Sequence, residues 1–176
     1  MQFEYANMPG IGPRPSTVKW SCWNRTGSSV ILGQVVMTDE KGTQAEVSKT
    51  ETNVGADDFA TNNVITPTTA GIGVLSGDPG YWFGVVTDLG TDGTGADNTK
   101  VGVTFQGYVN VLITTGQASG EFGKLLYPAN GATGVTTTAA VGVKALGRVR
   151  VDVTTSAATS FALWDGIQGF GAEAAS

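Results

Sequence analysis

Chemistry in this chain would have to come from few groups, because it contains no histidine. That removes Ser-His-Asp and Cys-His nucleophilic systems together with the commonest transition-metal ligand. The single cysteine, Cys22, lies in the segment Val18-Lys19-Trp20-Ser21-Cys22-Trp23. Strand alternation there puts Val18, Trp20 and Cys22 on one face, so Cys22 reads as a small core hydrophobe rather than a nucleophile. A phosphate-binding loop fails around Gly123-Lys124: Ala118 stands where the first glycine belongs, and Leu125 where a Mg²⁺-binding hydroxyl belongs. The dinucleotide pattern fails at Gly71-Ile72-Gly73, where Ser76 replaces the third glycine and no βαβ unit surrounds it. Two sites remain. Residues 88–98 (DLGTDGTGADN) offer hard oxygen ligands of the kind Ca²⁺ takes, but without EF-hand spacing or a terminal Glu. A plain turn-rich surface loop is the simpler reading. The block Tyr81-Trp82-Phe83 carries aromatics that could stack on sugar rings, or equally fill a core or an interface. A glycosidase would need two placed carboxylates, which sequence alone leaves open. No catalytic residue, metal ligand or cofactor is assigned, and an enzyme is not expected.

Composition sets the remaining bounds. The chain has 176 residues, only 14% of them charged, with a net charge of −5. That length accommodates one domain with a sizeable core. Abundant Gly, Thr and Val favour strands and turns. The acidic balance argues against a nucleic-acid partner, since phosphate binding needs clustered Lys and Arg. The start MQFEYANMPGIGPRP lacks the basic and apolar regions of a secretion signal, and no apolar run approaches the roughly 18 residues that span a bilayer. Synthesis in a cytoplasm without a membrane partner is the expectation, and a lone cysteine fits it.

The elements that must position these residues read as follows. Residues 1–17 form an extended arm, because Pro9, Pro13 and Pro15 remove amide donors and the glycines weaken regular structure. Phe3, Tyr5, Met8 and Ile11 are its candidate anchors on a neighbouring surface. A domain over residues 18–164 follows. Its first strand starts at Val18, and a second, nearly continuous apolar strand spans residues 29–37 with a possible bulge at Gly33. A turn follows at residues 39–42, then a long polar loop over residues 43–63. Further strands are expected at residues 63–65, 71–75 and 81–86. Val101, Val103 and Phe105 share one face, and beyond an interruption at Gly107 so do Val109, Val111 and Ile113. Later, Val149, Val151 and Val153 point inward, leaving Arg148 and Arg150 outward and available to carboxylates. Residues 165–176 are a glycine-rich tail, where Trp164, Ile167 and Phe170 form an apolar group suited to a subunit interface. The fold class is all-β, a small β-barrel or β-sandwich.

The order Gly107-Tyr108-Val109-Asn110-Val111, Gly123-Lys124-Leu125-Leu126-Tyr127, a Gly/Thr loop over residues 131–138, and Val143-Lys144-Ala145-Leu146-Gly147-Arg148-Val149 resembles the small β-rich head-decoration, or cement, proteins of tailed bacteriophages. The similarity covers roughly residues 101–164. It implies a capsid protein without catalysis: a homotrimer on the outer surface of the virion that binds the major capsid protein and fastens neighbouring subunits. An acidic chain suits that outer face, away from packaged DNA. A phage tail-tube or fibre subunit shares this composition, and a carbohydrate-binding module rests on Tyr81-Trp82-Phe83 alone.

Overall fold

The computed structural model describes residues 17–38, 63–67, 81–114, 122–129, 131–139, 143–151, 159–167 and 169. The arm anchors Phe3, Tyr5, Met8 and Ile11, residues 39–42 and 71–75, nearly all of the polar stretch 43–63, Val153 and Phe170 lie outside them.

Among the described residues every regular element is a strand: β1 (Val18–Asn24), β2 (Val35–Thr38), β3 (Asn63–Ile65), β4 (Phe83–Asp88), β5 (Lys100–Leu112), β6 (Leu125–Pro128), β7 (Val135–Thr136), β8 (Gly147–Val149) and β9 (Thr159–Asp165). The protein is thus all-β, and it contains a closed barrel. Strands β1, β3, β2, β4 and β5 are hydrogen-bonded in that order, and β5 pairs back to β1. Only β1 and β3 run parallel within this ring.

A five-stranded ring leaves little interior, and period-2 alternation decides what fills it. Cys22, Val36, Val64, Val86, Val101, Val103 and Phe105 form one buried cluster. Gly84 belongs to the same lining by necessity. A Cβ there would lie 2.2 Å from Val103 Cγ1 and 3.1 Å from the Phe105 ring, so only glycine fits.

Strands β2 and β4 are buried on both faces, as continuous apolar runs require. Their outward residues Val35, Met37, Phe83 and Val85 pack against a second layer, joining Val109, Val111, Ile113, Leu126, Val149 and Trp164. That layer is the sheet β5-β9-β8-β6-β7. Strand β5 therefore serves both layers: residues before Gly107 pair with β1 and β4, and residues after it pair with β9. Gly107, at φ +125°, sits at the changeover, a backbone conformation that side chains strongly disfavour. Beyond β5, a parallel bridge from Ile113 to Val135 brings β7 back to the far end of the same strand.

Two readings of single strands need correction. The expected strand over residues 29–37 exists only as Val35–Thr38. Residues 29–34 instead form a loop, because the Gln34 amide donates to the Ile31 carbonyl, its side-chain oxygen accepts from the Ile31 amide, and Gly33 adopts φ +85°. The expected inward Val151 is 55% exposed, since β8 stops at Val149 and the alternation is not continued.

Candidate functional site

The outer face of the second sheet carries the feature that packing does not explain. Register places Tyr108 of β5 opposite Leu163 of β9, and Asn110 opposite Phe161. Tyr108 and Phe161 are therefore diagonal neighbours on one face, within reach for aromatic side chains. Their rings stack at 5.3 Å between centroids with 10° between planes. Both remain exposed, at 47% and 39%. Ile31 and Leu32, at 52% and 53% exposed, stand in the loop before β2. An open groove of about 390 Å³ runs between this loop and the sheet, lined by Leu32, Gly33, Thr87, Tyr108, Asn110 and Phe161. Leu32, Tyr108 and Phe161 thus expose large apolar side chains around one groove.

The two arginines sit beside it. Arg148 is exposed on β8, opposite Leu163 and in the same cross-strand row as Tyr108. Arg150 follows β8, and its amide donates to the Phe161 carbonyl at 2.8 Å. It is half-buried rather than outward-facing, and its Nε is buried without a hydrogen-bond partner among the described residues.

The other described candidates belong to the core. Trp164 is fully buried, and its Nε1 donates to the Phe83 carbonyl at 2.9 Å. The expectation of an exposed apolar group at Trp164 is corrected by the alternation of β9, which turns Ser160, Ala162 and Trp164 inward. Ile167 is half-buried against the barrel cluster.

The block Tyr81-Trp82-Phe83 is likewise structural. Phe83 is buried, and Trp82 packs on Trp20 at 4.8 Å with 50° between planes and on Phe105 at 6.1 Å with 66°. Rings so tilted are packed in the manner of core aromatics.

In the 88–98 loop the carboxylates accept from backbone amides, two within the loop and one from the loop after β1. Asp88 Oδ1 accepts from the Gly90 amide, Asp92 Oδ1 from the Thr94 amide, and Asp97 Oδ1 from the Gly27 amide, each at 3.0 Å. The Thr94 amide holds the Asp92 carboxyl below its ordinary range. Among the described residues, no three Cys, Asp or Glu side chains gather as a metal site.

Asn24 is what sequence reading missed in this region. It is fully buried, its Nδ2 donates to the carbonyls of Ser28 at 2.8 Å and Gly95 at 2.9 Å, and its Oδ1 accepts from the Thr26 amide at 3.0 Å. One side chain thereby ties the loop after β1 to the loop before β5. Nothing in the spacing of Asn24 announces this, since Gly95 is 71 residues away.

Cys22 is buried, and burial pushes its thiol up to about 12. At neutral pH it is a packed thiol and not a nucleophile. A second concavity, about 620 Å³, lies on the barrel wall against Lys19, Trp20, Asp88, Gly90, Lys100 and Gly102. Its Lys19–Asp88 pair, at 3.7 Å, is exposed and adds little stability.

No family model matches the chain, and no curated protein sequence matches it.

Proposed function

We propose that this protein is a non-catalytic viral assembly component, a decoration protein that binds the outer surface of a phage head and stabilises contacts between major capsid protein subunits. The observation that carries the reading is the exposed Tyr108–Phe161 stack beside Leu32. Rigid aromatics on a sheet supply contact area at low entropic cost, which suits docking to a large, flat protein surface. The strand-and-turn order over residues 101–164 and the net charge of −5 support the same assignment. In this reading the acting form is a homotrimer on the virion surface.

The test is addition of the purified protein to undecorated capsids, followed by electron microscopy. Ordered density at the capsid surface is expected. Filaments or rings formed by the protein alone, with bare capsids, would instead identify a tail-tube subunit.

A further inference from the structure

The barrel wall formed by β1, β5 and the end of β4 holds a preformed concavity. Register sets Ser21 opposite Gly102 and Gly102 opposite Asp88, so the three make one row across the strands. The row faces outward, because the neighbouring Cys22 and Val101 lie in the barrel cluster. Gly102 leaves its middle bare. A Cβ there would lie 2.7 Å from Asp88 Cβ and 2.8 Å from Lys19 Cε, so the Lys19 side chain runs along the glycine to reach Asp88, with which it pairs at 3.7 Å. Asp88 is held in turn, since its other oxygen accepts from the Gly90 amide at 3.0 Å. The loop that Asp88 begins lies against β5: a Cβ on Gly90, at φ +83°, would come 2.1 Å from the Lys100 carbonyl. These contacts set the floor and the walls of the open cavity of about 620 Å³ lined by Lys19, Ser21, Asp88, Thr91, Lys100 and Gly102.

Its charge is local and positive. Lys100 stands opposite Trp23, and its Nζ lies 5.2 Å from the centre of the Trp23 ring. Arg25, held by Asn98 Oδ1, brings its Cζ to 5.7 Å from the same ring. Both cations are drawn toward the wall by the ring. Charges beyond about 8–10 Å are screened at ordinary ionic strength, so a short anionic ligand meets Lys19, Arg25 and Lys100 more than the chain's net charge of −5. A long polyphosphate would also run against Asp92 and Asp97 in the adjoining loop, which disfavours nucleic acid. A peptide strand is disfavoured too, because β5 is paired here with β1 on one side and β4 on the other, leaving no edge to extend. Recognition must run through side chains. Their mixture of ammonium, carboxylate and hydroxyl groups matches a ligand that carries many hydroxyls and a carboxylate. We propose that this cavity binds a short acidic oligosaccharide, with its carboxylate on Lys100 and its hydroxyls on Ser21, Thr91 and the Lys19–Asp88 pair. The site goes beyond capsid binding and uses none of the residues assigned to it.

The test is titration of the full chain with tetragalacturonic acid at low salt, followed residue by residue by NMR. Saturable shifts are expected at the Ser21 and Gly102 amides and at the Trp23 indole N–H. Cellotetraose, which lacks the carboxylates, is expected to bind at least about fivefold more weakly, and Lys100→Met to weaken binding of the acidic sugar by a similar factor. Lys100 is exposed, and the neutral sugar reads the same contact without any substitution. The proposal is overturned by the absence of saturable shifts at millimolar sugar, by shifts confined to other residues, by equal binding of the two sugars, or by unchanged affinity in folded Lys100→Met. Tighter binding of an oligothymidylate at these same groups would also overturn it and make the wall a nucleic-acid groove.

Discussion

Trp164 of β9 donates its indole N–H to the carbonyl of Phe83, the first residue of β4, at 2.9 Å. This bond joins the outer sheet to the barrel within the core, and the Phe83 amide answers by donating to the Gly166 carbonyl just beyond β9. Trp164→Phe keeps most of the apolar volume but removes the donor from a buried carbonyl. A loss of about 1–3 kcal/mol is expected, seen as a lower urea midpoint with an unchanged slope.

Gly84 makes the barrel's narrowness testable. Gly84→Ala drives a methyl into Val103 Cγ1 and should cost about 1–3 kcal/mol by overpacking. Val103→Ala in the same chain should recover part of that loss. A double-mutant cycle showing strictly additive effects would mean that the two residues do not meet inside the barrel.

Asn24→Ala takes the side-chain donor from the buried Gly95 carbonyl and from the part-buried Ser28 carbonyl. The expected destabilisation is about 2 kcal/mol or more, with amide exchange rising first in residues 25–34 and 89–99.

The Cys22 thiol gives a pH dependence of defined sign. Its folded value, about 12, lies above the ordinary thiol value of 9.0 that the unfolded chain would show, so between those values the unfolded chain binds fewer protons than the folded one. Stability from this group is complete below pH 9 and is lost as pH rises through that window. Cys22→Ala should start less stable, because it opens a cavity, yet fall less steeply between pH 9 and 11 in denaturation measured at each pH. Wild-type protein should also resist thiol reagents at pH 7 until it is unfolded.

Tyr108→Asp and Phe161→Asp change exposed side chains, so thermal midpoints should move little while addition to capsids is lost. Decoration at full occupancy by both variants would exclude the aromatic face from the contact.

Alternation made much of this fold readable. Val101, Val103 and Phe105 point into the barrel as period 2 demands, and Val109, Val111 and Ile113 point into the second core. Gly107 was visible as an interruption, but its role at the changeover between layers depends on β9 arriving from more than fifty residues later, and no local pattern carries that. The same rule misled at Val151, because a strand's end is set by its neighbours: β8 stops where pairing with β9 ends at Val149. Trp164 was legible in principle from Ser160-Ala162-Trp164, yet proximity to a glycine-rich tail suggested exposure. The Tyr108–Phe161 stack was not legible, since it exists only through the register between β5 and β9.

The thirteen-residue β5 also determines how the protein would bear load. A partner gripping the aromatic face pulls on β5 and β9, and the barrel resists through β1 and β4 along the same strand. Tension directed along β5 shears its ladders, so many hydrogen bonds must fail together instead of opening one at a time like a zip. The outer sheet is therefore anchored through continuous backbone, and the two layers should rupture as one mechanical unit.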